Sequence, residues 1–192
     1  TCEATVALMP EPSRAFAAPF DVSQIAAVRA ATHLVETRFG KVDVLVNNAA
    51  IMMANVPFME SDPNDCEREI GVGLFGTLNC TRAVLAGMKE KGFGRIVNIV
   101  SDAGRVGQER EAAYSSAKGG VIAFTKSLAR EIGRYGIGVN AVSPAATNTP
   151  LRREMLARLT ERVGAEAVEE REAKIRRAYP MRRIAEPDDI VN

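Results

Sequence analysis

The chain has 192 residues, enough for one domain with a sizeable buried core, and its 46% hydrophobic and 26% charged residues are those of an ordinary globular protein. Lys and Arg number 25 against 24 Asp and Glu, a net charge of +1 that gives no basis for a nucleic-acid or acidic-membrane partner. Cys2, Cys66 and Cys80 lack metal-ligand spacing and leave an odd thiol, so no metal site and a reducing, cytoplasmic setting are expected; no apolar run reads as membrane-spanning and no secretory pattern opens the chain.

In chain order, "AFAAPF" (15–20) reads as a strand. A helix follows, with Ser23 as N-cap, an apolar stripe at Ile25, Val28 and Val35, and Gly40 as its stop. The only histidine, His33, falls inside it and is read as structural. "VDVLVNNAA" (42–50) is a short buried strand running into a polar turn. A helical pattern then runs through 65–91 to Gly92, and "GRIVNIVS" (94–101) is the next strand. The segment 112–133 predicts a long helix, locally weakened by Gly119 and Gly120, and "IGVNAVSP" (137–144) is a further strand. Apolar strands alternating with helices predict a parallel sheet covered on both faces, an α/β doubly wound fold. Ligands gather at the carboxyl ends of such strands, which is where Asp21, Asn47, Asn48, Ser101 and the segment after Pro144 fall.

Within "AYSSAK" (113–118), Tyr114 and Lys118 are four residues apart and share one helix face. A free tyrosine, with a pKa of about 10, is a poor base at neutral pH, and an adjacent ammonium lowers that value. Ser101, at the end of the preceding strand, can hold a substrate oxygen beside the phenol. Together they form general acid–base equipment for an alcohol/carbonyl pair, with the hydride left to a cofactor. Ser115 to Lys118 also fits S-x-x-K, but the S-D-N and K-T-G elements that should follow are absent, and a Ser–His–acid hydrolase would have only His33 to recruit.

Five segments in order resemble the short-chain dehydrogenase/reductase family: "NNAA" (47–50), "GRIVNIVS", "YSSAK" thirteen residues beyond Ser101, "SPAATNTP" (143–150) and "RRIAEPDDIVN" (182–192). The resemblance implies a Rossmann-like three-layer fold and an oxidoreductase that uses NAD or NADP to interconvert a secondary alcohol and a ketone. It implies Tyr114 as acid/base, Ser101 as the group that polarises the carbonyl, and Lys118 as the cation that tunes Tyr114 and binds the nicotinamide ribose. Asp21 and Val22 would lie at the adenine, Asn48 near the adenosine-side ribose, and Thr147 and Thr149 at the carboxamide. The region around 101–126 resembles members that act on cyclic hydroxyacyl-CoA thioesters and 3-oxoacyl-carrier-protein reductases. An acyl-CoA substrate is therefore an expectation, with Arg152 and Arg153 as possible phosphate ligands. A homodimer or homotetramer built through helices 65–91 and 112–133 is also implied.

Two departures from the family pattern stand out. Where the family places a helix asparagine that supports a proton relay, this chain has Gly73 in "IGVGLFGT". The glycine-rich turn that would cradle a pyrophosphate is not found. The chain thus resembles the interior of a longer protein without the first two strands and the last one, a single partial domain over 1–192. Residues 151–180 form its substrate-lid helices, with Leu151, Met155, Leu159 and Val163 at helical spacing. The alternative is a catalytically silent fragment or binding module.

Overall fold

The computed structural model describes residues 2–53 and 55–191; the side chain of Leu151 also lies outside the described set. Residues through Val142 form one compact unit and residues from Ser143 onward a second.

The first unit is built on three parallel strands in the order β1 (Val44–Asn47), β2 (Gly94–Ile99) and β3 (Ile137–Val142). Leu45 is in register with Ile96, Asn47 with Asn98, and Ile96 with Val139. Strand alternation therefore sends Leu45, Ile96, Asn98 and Val139 to one face. There α4 (Gly76–Lys91) and α6 (Ala112–Ile132) contribute Val84, Met88, Leu128 and Ile132 to a core with Ile96, Ile137 and Val139. Met88 and Ile96 are fully buried. The opposite face leaves Val44 and Val46 more than half exposed. The parallel α/β architecture is thus as expected, but its double-sided cover is incomplete at β1.

The other elements of this unit are α1 (Cys2–Ala7), α2 (Ile25–Phe39), α3 (Pro63–Ile70) and α5 (Ala103–Val106). Gly40 and Gly92 end α2 and α4 at φ of +81° and +64°, where a side chain would be strained. Asp62 caps α3 by accepting the Asn64 N–H at 2.8 Å. Between α3 and α4 the chain widens into a π-turn, Gly71–Phe75, so 63–91 is one continuous helical stretch. By length and composition that stretch is able to cross a bilayer, which the sequence reading missed, but Thr81, Val84 and Met88 build one of its faces into the core.

Two local expectations fail. Residues 15–20 are not a strand: Ala15 is extended, but no neighbouring strand pairs with the segment among the described residues. Ser23 does not cap α2, because Asp21 Oδ1 accepts both its N–H and its hydroxyl at 2.8 Å, and Gln24 occupies the cap position.

The second unit contains α7 (Pro150–Val163), α8 (Ala165–Ala178) and α9 (Asp188–Val191), with a parallel bridge between Thr147 and Ala185. Arg152 and Glu172 join α7 to α8 in a mostly buried ion pair, one guanidinium nitrogen donating to both carboxylate oxygens at 2.7–2.8 Å.

Candidate active site

Ser101 follows β2, and Tyr114 and Lys118 stand one turn apart on α6. The close fit of α5 against α6 sets their spacing. A Cβ on Gly104 would lie 2.6 Å from the Lys118 carbonyl carbon and 2.7 Å from the Gly119 nitrogen. A Cβ on Gly119 would meet the Gly104 oxygen at 3.2 Å. Backbone therefore packs on backbone at Lys118, and the glycine read as a helix weakness is what allows it. Ser101 Oγ accepts the Ala103 N–H at 3.2 Å, which fixes the hydroxyl at the start of α5.

Tyr114 is half-buried, and the Ser101 hydroxyl is near enough to act on its phenol. Lys118 is 3% exposed; its Nζ donates to the Ile99 carbonyl at 2.7 Å and lies 5.7 Å from the centre of the Tyr114 ring. Burial brings the ammonium down to about 8 from 10.5. Tyr114 moves in the direction opposite to the one expected. Its pKa is raised, first by burial and further by the charges of Glu111 and Glu69, while the Ser101 hydrogen bond opposes the rise. The ammonium is directed to the strand carbonyl.

Behind these residues lies a buried polar chain. Asn98, fully buried on β2, accepts from Asn47 Nδ2 at 2.8 Å and donates to Thr125 Oγ1 at 2.8 Å. Asn47 Nδ2 also reaches Thr81 Oγ1 at 3.1 Å, and Thr125 donates to the Val121 carbonyl at 2.8 Å. The chain ties β1, β2, α4 and α6 together immediately before the strand ends. Asn47 is thus a structural residue, whereas Asn48 beside it is exposed.

The remaining candidates have local partners. Asp21 is held low by the two Ser23 hydrogen bonds and stays ionised as the acceptor of a tight turn. Gly76 admits Val22: a Cβ there would meet Val22 Cγ2 at 2.5 Å, and Asn79 Nδ2 donates to the Val22 carbonyl at 3.1 Å. In the second unit Thr147 Oγ1 donates to the Ala145 carbonyl at 2.9 Å, and Thr149 caps α7 by accepting the Arg152 N–H at 3.2 Å. Arg152 is committed to Glu172, and Arg153 bonds the Asn148 carbonyl and Oδ1 at 3.1 Å, so neither stands ready as a phosphate ligand.

Glu69 and the π-turn around Gly73 were not foreseen in the sequence. Glu69, 5% exposed on α3, accepts the Met53 N–H at 2.6 Å. Gly73 lies in the π-turn, where a Cβ would come 3.2 Å from the Cβ of Ala117 on α6. Three glycines at 71, 73 and 76 were the available signal for an irregular helix. The chemistry on hand is a hydroxyl pair, Ser101 and Tyr114, with a buried ammonium one turn away, at the carboxyl end of a parallel sheet. That donor set suits an alcohol or carbonyl oxygen and the polar ribose end of a dinucleotide.

Comparison with known proteins agrees. The family model described as short chain dehydrogenase matches residues 1–160. The chain is 44% identical over 131 residues to 2-dehydro-3-deoxy-L-rhamnonate dehydrogenase (NAD(+)) of Sphingomonas sp. (strain SKA58), covering 68% of this chain and 53% of that protein. It is 39% identical to acetoacetyl-CoA reductase of Shinella zoogloeoides, over 89% of this chain and 66% of that one. The structure of NAD+-bound xylitol dehydrogenase superposes with a TM-score of 0.80 at 31% identity, covering 89% of this chain and 69% of that one. The chain thus spans about half to two thirds of the length of the curated relatives it matches.

Proposed function

Because the chain belongs to the short-chain dehydrogenase family, we propose that it carries the catalytic core of an NAD- or NADP-dependent oxidoreductase that interconverts a secondary alcohol and a ketone. The observation that carries the reading is Lys118, buried one helical turn from Tyr114 and bonded to the strand that ends at Ser101. Asp21, Val22 and Asn48 are assigned to the adenosine side of the dinucleotide, and Tyr114 and Lys118 to the nicotinamide ribose. Thr147 and Thr149 are assigned to the carboxamide from the family motif alone. When bound, the nicotinamide supplies or accepts the hydride.

The chain's own residues handle the oxygen and its proton. Ser101 orients the carbonyl oxygen toward the phenol, and Tyr114 transfers its proton to that oxygen during reduction and takes one back during oxidation. Lys118, protonated at neutral pH, lends positive charge to the ribose side of the site.

Support for an acyl thioester substrate comes from relatives such as the acetoacetyl-CoA reductase, while the rhamnonate-type relative points to a sugar acid. The shared chemistry is a hydroxyl or oxo group on a short, oxygen-rich carbon chain, and that is the substrate class proposed. A cytoplasmic setting suits the three free cysteines, and symmetric assembly through the 63–91 stretch and α6 is the proposed quaternary arrangement.

Tyr114→Phe tests the reading. It removes the transferable proton and leaves the ring packed, so hydride transfer followed by nicotinamide absorbance falls by at least about 100-fold. Retained turnover would favour a silent, binding-only relative.

A further inference from the structure

Thr147 and Thr149 lie in a segment that is gripped from both sides of one turn. Leaving α8, the chain makes a β-turn in which the Arg182 N–H returns to the Tyr179 carbonyl at 3.0 Å. Pro180 takes the second position of that turn, which suits its fixed φ, and Arg182 closes it at a left-handed φ of +55°. Before the turn, the Tyr179 phenol oxygen accepts the Ala146 N–H at 3.1 Å. Beyond it, Ala185 donates its N–H to the Ala146 carbonyl at 3.0 Å and accepts the Asn148 N–H at 2.8 Å. Both backbone groups of Ala146 are therefore taken, one by a side chain and one by backbone. The parallel bridge uses the groups on either side of Thr147, which turns the Thr147 N–H to the opposite edge. No protein group among the described residues accepts that N–H, so the segment is held along one edge and keeps an open donor on the other.

A phenylalanine would fill the same half-buried space, so the hydroxyl is the informative part of Tyr179. Pro144 has no N–H to anchor the entry into the segment, which gives the bond at Ala146 a large share in fixing it. Resting on the dehydrogenase reading, we infer that Tyr179 is a positioning residue for the cofactor: its hydroxyl fixes the 145–149 segment so that Thr147 and Thr149 meet the nicotinamide carboxamide in one arrangement. Without the hydroxyl, the Ala146 N–H loses its partner and the segment must be ordered again each time a nicotinamide binds. The adenosine half of the dinucleotide, assigned to Asp21, Val22 and Asn48, does not depend on that bond.

Affinities measured with and without the nicotinamide isolate the effect. NADH and ADP-ribose differ by the nicotinamide alone, as do NADPH and 2′-phospho-ADP-ribose. In calorimetric titration, Tyr179→Phe is expected to weaken the reduced dinucleotide about 5-fold and to leave the matching ADP-ribose unchanged. Equal weakening of both, or of neither, overturns the inference. Amide hydrogen exchange gives a readout without ligand: the Ala146 N–H should exchange at least about 10-fold faster in the variant, with the amides of α7 and α8 unchanged. A merely structural role would speed exchange across both helices, and that result overturns the inference too. If the variant does not fold, the wild-type chain decides. Protection of the Ala146 N–H that rises with the reduced dinucleotide and not with ADP-ribose supports the inference, and exchange as fast as that of an open loop overturns it. A wild-type chain that binds neither member of either pair would overturn the dehydrogenase reading, and this role with it; binding that Tyr179→Phe leaves untouched overturns this role alone.

Discussion

Lys118 should make stability depend on pH in a way that can be isolated. In the folded chain its ammonium is buried against the Ile99 carbonyl and titrates at about 8, whereas an unfolded lysine titrates at 10.5. The folded value is the lower one, so the contribution is complete above 10.5 and is lost as pH falls through 8. Between the two, the unfolded chain binds a proton that the folded chain has released, and stability rises with pH. At about 1.36 kcal/mol per pH unit the whole swing is about 3 kcal/mol. About 1.4 kcal/mol of it remains outstanding one pH unit below 10.5, so about 2 kcal/mol is gained between pH 7 and 9.5. The perturbation is Lys118→Met, which keeps most of the stem and removes the charge. Urea unfolding of both proteins, followed by circular dichroism at several pH values across that interval, supplies the comparison. The variant should be the more stable at pH 7, and its advantage should shrink steadily toward pH 9.5. A wild-type minus variant difference that stays constant would refute the account. It would mean that Lys118 reaches water in the folded state and that its burial is not what displaces it.

Gly104→Ala places a methyl 2.6 Å from the Lys118 carbonyl carbon, a backbone atom that cannot yield, so α5 must lift from α6. A loss of about 1–3 kcal/mol is expected in urea unfolding, with a parallel loss of activity as Ser101 and Lys118 move apart. Asn98→Ala removes both hydrogen bonds of a fully buried amide and opens a void between β1 and β3. It should cost about 2–4 kcal/mol, and hydrogen exchange should show the loosening at the ends of β1 and β2; a cost under about 0.5 kcal/mol would mean the polar chain is not tightly ordered.

Much of the fold was legible because its signals are local. Gly40 and Gly92 announce helix ends that need positive φ, and the apolar runs around Ile96 and Val139 announce buried parallel strands. "AFAAPF" was misread because a strand is a relation between two segments, and composition cannot say whether a partner lies alongside. Ser23 was misread for a similar reason: Asp21 competes for the same hydroxyl, and the shorter loop wins. At the site, the spacing of Tyr114 and Lys118 fixes a shared helix face, which the structure bears out. It does not fix where the ammonium points, and the Ile99 carbonyl, nineteen residues earlier in the chain, takes it. Glu69 was invisible because α3 carries several acidic residues, and only the tertiary fold decides which is turned inward.

These placements bear on the direction of the chemistry. A tyrosine that is to accept a proton must spend part of its time as phenolate, and three features of this chain disfavour that state: burial, Glu69 and Glu111. Only the Ser101 hydrogen bond opposes them. At neutral pH the resting site therefore presents Tyr–OH beside Ser–OH, the protonation state from which a ketone is reduced. Oxidation of an alcohol is favoured by positive charge near the phenol, and the Lys118 ammonium lies 5.7 Å from the ring centre and is bonded to Ile99. At the site proposed, an oxidised nicotinamide held by Tyr114 and Lys118 would supply positive charge that favours Tyr114 as a base. A reduced nicotinamide would supply none, and the phenol would then serve as the acid.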